Sequence, residues 1–285
     1  MVEARRLLLD ALEALAPIAP ALVLGGGQAV DLRVPRSALP VLLSTRDADL
    51  TLDVVALSRP APVGALLRRA GLAPAKGTGH WARAGNRLLR YLARGMPIHV
   101  DVMVPDEAWP ESVAGPDPRP QGDASTMPPM VVTLLDDSPL AVPSLEVPSR
   151  EGGDPRRPTV RVAGTASLLL TKVNKFEARR LRALARGRPF STIPAKDVLD
   201  VVRLLVAGGD DLEHGVLRIR SHPRGARVAA ESLAFLGAHF AREDGLGTSL
   251  ARDALAAHRA DSVLRESVRR AAALAAAARL SPSSR

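Results

Sequence analysis

Two stretches decide how the first half of this chain is read: A-L-V-L-G-G-G-Q-A-V at residues 21–30 and S-T-R-D-A-D-L-T-L-D-V-V at residues 44–55. Residues 21–24 are a short apolar run suited to a strand, closed by Gly25-Gly26-Gly27. A helix is expected from about Gln28, cut short by Pro35. In the second stretch Leu50, Leu52 and Val54 alternate with Asp49, Thr51 and Asp53, the period of two of a half-buried strand.

Outward from these stretches, Leu8, Leu12 and Leu15 recur at helical spacing and predict an amphipathic helix over 3–16. A second short helix is expected over 36–43, and another over 62–71, stopped by Gly71. Residues 78–104 read as a three-strand meander. One arm covers 80–84, Gly85-Asn86 turns, 87–92 returns, and Gly95-Met96-Pro97 leads into 98–104. In that last strand Ile and Val hold one face, while His99, Asp101 and Met103 hold the other. Residues 105–129, rich in Pro, Gly and Asp, make a long loop or insertion. Apolar runs near 130–147 and 159–163 look like strands, separated by a flexible loop over 148–158.

From Thr165 the pattern turns helical. Thr165 is expected to cap a helix running to about Ala185. A second helix follows over 195–207, stopped by Gly208-Gly209, and three or more helices fill 211–280. The organisation is therefore an α/β domain over 1–149 and a basic, mainly helical domain over 150–285.

Composition narrows the function classes. The 2% aromatic content argues against large stacking platforms for single-stranded nucleic acid. With no cysteine there are no disulfides, thiolate nucleophiles or cysteine-ligated metals, in keeping with a reducing cytoplasm. Arg5, Arg6 and Leu7 to Leu9 have the look of a signal peptide, but Asp10 and Glu13 interrupt the apolar run. No apolar stretch reaches the roughly 18 residues of a membrane span, so a soluble, cytoplasmic protein is expected. The net charge of +9 is uneven. Residues 1–149 carry 14 basic and 16 acidic side chains, whereas residues 150–285 carry 25 and 14. Such a basic half points to a polyanionic partner, nucleic acid being the commonest; arginine-rich solvated helix faces are the bland alternative.

The chemistry rests on three aspartates. Asp47 and Asp49, two apart on one strand, leave the same face, and Asp101 joins them if its strand is a neighbour. Hard carboxylates so grouped suit Mg²⁺ or Mn²⁺, which take one or two carboxylates plus substrate phosphates. Three carboxylates are able to hold two ions about 3.5–4 Å apart for in-line nucleotidyl displacement. In that scheme Asp47 and Asp49 bridge both ions. Asp101 ligates one and helps to deprotonate the attacking hydroxyl. The glycine turn supplies the other half, with Gly26, Gly27 and Gln28 offering backbone N–H groups to a triphosphate at a helix start. It lacks both the Gly-Lys-Ser/Thr of a P-loop and the spacing of a dinucleotide fingerprint. Arg46, beside Asp47, contacts phosphate or screens the carboxylates.

In this order L-G-G-G-Q-A-V, T-R-D-A-D-L and H-V-D-V resemble the DNA polymerase β-type nucleotidyltransferase superfamily, and most of all the AbiEii-like toxins and their relatives. The resemblance spans roughly residues 20–207. It implies an α/β (α+β) nucleotidyltransferase fold, a mixed sheet flanked by helices, with a C-terminal α-helical domain. It also implies a lysine on one C-terminal helix and a Lys/Arg-Asp-x-x-Asp segment on the next. L-L-L-T-K-V-N-K offers Lys172 for the triphosphate, and P-A-K-D-V-L-D offers Lys196, Asp197 and Asp200. Asp197 would orient Lys172 or a nearby arginine. The superfamily's Gly-Ser turn is Gly-Gly here, and the proline-rich segment after Asp101 departs from a minimal enzyme.

The expected activity is transfer of an NMP from an NTP to an acceptor hydroxyl. An RNA acceptor, such as a tRNA 3′ end, fits the basic C-terminal half. A toxin role with an antitoxin partner is implied by the resemblance alone. The alternatives are an aminoglycoside-like small molecule or a protein as acceptor, and a non-catalytic nucleotide- or nucleic-acid-binding protein on the same fold.

Overall fold

The computed structural model describes residues 2–34, 39, 47–53, 62–74, 81–83, 99–103, 144–222, 225–258 and 260–280. Within these, the side chains at 47, 73–74, 81–83, 99, 101–103, 210 and 278–280 lie outside the described residues. So do the expected helix over 36–43 (Leu39 apart), the return arm over 87–92 and the loop over 105–129. The chain is a mixed α/β protein that divides into two compact units. One comprises Met1–Leu32, Ser44–Met130 and Pro139–Ala163, and the other Arg33–Leu43, Val131–Ser138 and Gly164–Arg285. No helix among the described residues is long and apolar enough to cross a membrane.

The first unit is built on a seven-stranded sheet. In chain order its strands are β1 (Leu22–Leu24), β2 (Asp47–Leu52), β3 (Leu72–Pro74), β4 (Trp81–Arg83), β5 (His99–Met103), β6 (Ser144–Glu146) and β7 (Thr159–Val162). They lie in the order β3-β4-β5-β2-β1-β7-β6. The sheet is mixed: β2 pairs antiparallel with β1 and parallel with β5, while β1 pairs parallel with β7. The sheet therefore runs on to Val162, and both strands that flank the 148–158 segment belong to it. β3 was not expected; three residues directly after a helix are too few for a period of two to show.

Among the described residues three helices accompany the sheet: α1 (Val2–Ala14), α2 (Gly26–Arg33) and α3 (Val63–Arg69). α1 lies against β2 and β5 and buries Leu7, Leu8, Leu9 and Leu12. Each fully buried leucine of this kind contributes about 1.5–3 kcal/mol. α2 begins two residues before the expected start, because the Ala29 N–H closes its first turn on the Gly25 carbonyl at 3.2 Å.

The second unit is helical: α4 (Thr165–Ala185), α5 (Ala195–Ala207), α6 (Gly209–Ser221), α7 (Ala226–Phe240), α8 (Leu246–Leu255) and α9 (Asp261–Leu280). α4 packs on α5, α6 and α7, while α9 packs on α5, α7 and α8. Thr165 is not the cap. Gly164 holds that position in extended conformation, and its carbonyl accepts the first helical bond from the Leu168 N–H at 2.9 Å. α4 buries Leu169, Val173 and Phe176. It also approaches α6 so closely that a Cβ at Gly215 would stand 2.7 Å from Ala166 Cβ. That contact selects glycine.

Candidate active site

The turn after β1 and the start of β2 are locked together by backbone. Leu24 pairs with Leu50, and one step further the Gly25 N–H donates to the Asp49 carbonyl at 2.7 Å. This bond continues the β1–β2 ladder into the glycine turn. Gly26 follows at φ 61°, in the left-handed region where a Cβ is strained. A Cβ there would stand 1.6 Å from Asp49 Oδ2, so the Asp49 carboxylate occupies the space that any other residue at 26 would fill. Both Gly26 and Asp49 are half-exposed, while Gly25, Gly27 and Gln28 are buried. The first-turn amides of α2, at Gly26, Gly27 and Gln28, have no intrahelical acceptor. Thus a carboxylate and the amide-bearing start of a helix meet at one accessible point.

On the other side of β2 the parallel pairing with β5 sets Asp47 beside His99 and Asp49 beside Asp101. Residues side by side on neighbouring strands share a face, and residues two apart on one strand do too. Positions 47, 49 and 101 therefore occupy one face of the sheet next to the glycine turn. The side chains of Asp47, Asp101 and His99 lie outside the described residues, as does Arg46. Among the described residues no group of three or more His, Asp or Glu side chains stands at metal-holding distance. Asp53, past the end of β2, is tied elsewhere: its N–H donates to the Ala21 carbonyl at 2.7 Å and its carboxylate lies 3.5 Å from Arg161 Nη1.

Gln28 does not offer its side chain to the surface. It is fully buried, and its Oε1 accepts from Arg5 Nε at 2.9 Å. Arg5 is itself 1% exposed and donates to the Pro148 carbonyl at 3.2 Å. Any contribution of Gln28 to a phosphate is through its backbone N–H. Sequence reasoning missed Arg5 as the residue that fixes this turn. The signal was present, since Arg5 stands three residues before Leu8 on the same helical stripe. The other end of α2 is held by the Arg150–Asp31 ion pair at 3.0 Å.

The basic and acidic residues expected on the C-terminal helices belong to the helical unit. Lys172 is 2% exposed and its Nζ lies 2.7 Å from Asp200 Oδ2, with Arg203 Nη1 3.8 Å from Asp200 Oδ1. Asp197, also buried, pairs with Arg179 across α4 and α5, so the nearby arginine and not Lys172 is its partner. Lys196 is half-exposed at the first turn of α5. The charge of Lys172 is thus matched in place, inside the helix pair. An unpaired buried lysine would bear a penalty of several kcal/mol. Matched against known proteins, the chain meets no family model, no curated protein and no solved structure.

Proposed function

We propose that the sheet unit has a nucleotidyltransferase fold and transfers a nucleoside monophosphate from an NTP to an acceptor hydroxyl. The observation that carries this reading is the β2–β5 register, which sets Asp49 beside Asp101 while the Gly25–Asp49 bond brings the glycine turn to the same point. The donor set fits a hard divalent cation. Positions 47, 49 and 101 offer only carboxylates on one face, and Asp49 is accessible. Bound by these aspartates, Mg²⁺ or Mn²⁺ would neutralise phosphate charge as a Lewis acid.

The chain's own groups divide the rest. The amides of Gly26, Gly27 and Gln28 hold phosphate oxygens at the positive end of α2. Gly26 lacks a Cβ because the Asp49 carboxylate fills that space. Asp101 accepts the proton of the acceptor hydroxyl as its oxygen bonds to the α-phosphorus. The bond from that phosphorus to the bridging oxygen breaks, and pyrophosphate leaves with the electron pair. RNA is the acceptor that the charge distribution favours, since 25 basic residues face 14 acidic ones over 150–285.

The test incubates the full chain with Mg²⁺, total tRNA and each α-labelled NTP, beside Asp49→Ala. Label on RNA with wild type and none with Asp49→Ala is the expected result. Label on a small molecule or protein from a cell extract would replace the acceptor and keep the chemistry. Absence of transfer together with absence of metal-dependent NTP binding would sink the reading.

A further inference from the structure

α4 carries a line of cations that nothing in the site just described uses. Lys175, Arg179, Arg182 and Arg186 fall at i, i+4, i+7 and i+11, which places them within about 60° of one another around the helix. Arg188 continues the line past the helix end, where Gly187 turns the chain at φ 57°. The single acid of α4, Glu177, is buried and held by Arg180 and His239, so it does not interrupt the stripe.

Pairing separates this stripe from several arginines elsewhere on the helical unit; Arg218, Arg252 and Arg265 also lack an acidic partner among the described residues, but each stands on a different helix. Arg227 pairs with Glu231 at 2.8 Å, Arg242 with Asp244 at 2.7 Å, and Arg269 with Glu266 at 2.7 Å. In the stripe Arg179 pairs with Asp197, but Lys175, Arg182, Arg186 and Arg188 have no acidic partner among the described residues. Arg182, Arg186 and Arg188 are exposed and Lys175 is half-exposed. Basic residues at a helix C-terminus are favoured by the macrodipole, but that effect fades within the last turn and does not reach Lys175 or Arg179. A row of unmatched charge repels itself and is retained most simply where an anion matches it.

We infer that this stripe binds the phosphate backbone of RNA. At 1.5 Å per residue it runs about 16 Å from Lys175 to Arg186, the length of about five phosphates along one strand of a duplex. A lipid surface fits less well, because it requires apolar side chains between the cations. The exposed apolar residues of α4, Leu181 and Leu184, lie roughly 130° and 170° around the helix from the stripe. The choice of RNA over DNA rests on the proposed function; the phosphate recognition does not.

The test measures binding of the full chain to a labelled RNA across a salt series, without NTP or metal. Arg182→Ala/Arg186→Ala/Arg188→Ala is compared with Arg227→Ala/Arg242→Ala/Arg269→Ala, which removes equal charge from paired sites. The stripe variant is expected to bind at least about tenfold more weakly at low salt, with the slope of log K against log salt shallower by about 2, while the control stays near wild type. Equal weakening in both variants would mean diffuse attraction by the net charge and would overturn the inference. So would unchanged binding in the stripe variant, or wild-type binding to anionic phospholipid vesicles in place of RNA. Intact RNA binding by a chain that transfers no nucleotide would leave the stripe standing and remove the catalytic reading.

Discussion

Asp49 is the residue on which the candidate site turns, and its surroundings are set by backbone more than by side chains. Its carbonyl holds Gly25, its carboxylate fills the space beside Gly26, and its register partner is Asp101. Gly26→Ala is therefore expected to act twice. The left-handed backbone costs about 1–2 kcal/mol with a Cβ present, and the methyl group displaces the carboxylate. Thermal unfolding should show a modest loss, whereas nucleotidyl transfer should fall about a hundredfold, as for a reacting group moved by about 1 Å. Transfer near the wild-type rate in Gly26→Ala would separate the glycine turn from the chemistry. The aspartates and glycines were legible from residue order alone, because period two and a Gly-rich turn leave marks in the sequence. Their adjacency was not. It depends on which strands pair, and pairing of strands far apart in sequence leaves no local signature. The burial of Arg5 left a partial mark in its place three residues before Leu8, but its partners did not, since Gln28 and Pro148 are brought to it by segments distant in sequence.

Among the elements, the α4–α5 pair encloses most of the buried charge. Lys172 and Asp200 sit 2.7 Å apart at 2% and 1% exposure, with Arg203 close by. Lys172→Met should cost about 3–5 kcal/mol in a denaturant titration, because Asp200 is left buried with less countercharge. Combined with Asp200→Asn, a coupling of about 0.5–3 kcal/mol is expected; strict additivity would show that the two do not interact. A second cluster links α4 to α7. Burial raises the Glu177 carboxyl, but the Arg180 guanidinium and then His239 outweigh it, leaving the group below its ordinary value. Burial pushes His239 below 6.5, with Glu177 opposing only in part. Both folded-state values are depressed. The stability contributed by His239 is thus present above pH 6.5 and is lost as pH falls through its lowered value. That of Glu177 is lost further down, as pH falls below 4.5. Denaturation midpoints followed from pH 7 to pH 5 should decline, and His239→Gln should flatten the decline; a midpoint rising toward acid would reverse the assignment. The boundaries of α4 and α5 could be read from sequence, because Gly208-Gly209 and the apolar periodicity mark them plainly. Which basic residue meets which acid could not, since rotation about each helix axis decides it. Lys172 and Asp200 lie 28 positions apart, on different helices.

At the scale of the molecule, two compact units carry opposite characters: a mixed sheet with an acidic face position at each of 47, 49 and 101, and a basic helical body. The helical unit buries Leu169, Phe176, Val201, Leu205, Leu236 and Phe240 among its own helices. The fragment Gly164–Arg285 is therefore expected to retain helical circular dichroism and a cooperative thermal transition. A non-cooperative melt would show that it depends on the rest of the chain. Composition announced the helical body through its long amphipathic runs and its arginines. The sheet was visible only in pieces, and its order came from the paired registers. Those registers also dictate a timetable. β1 gains its parallel neighbour only when Val23 meets Arg161, and Asp49 meets Asp101 only across a span that holds α3, β3 and β4. Closing such spans is slow, whereas neighbouring helices find each other quickly. On a ribosome the aspartates and glycines emerge early but wait for β7 before the sheet is complete, so a nascent chain halted before residue 159 holds every strand of the site while β1 still lacks its parallel neighbour.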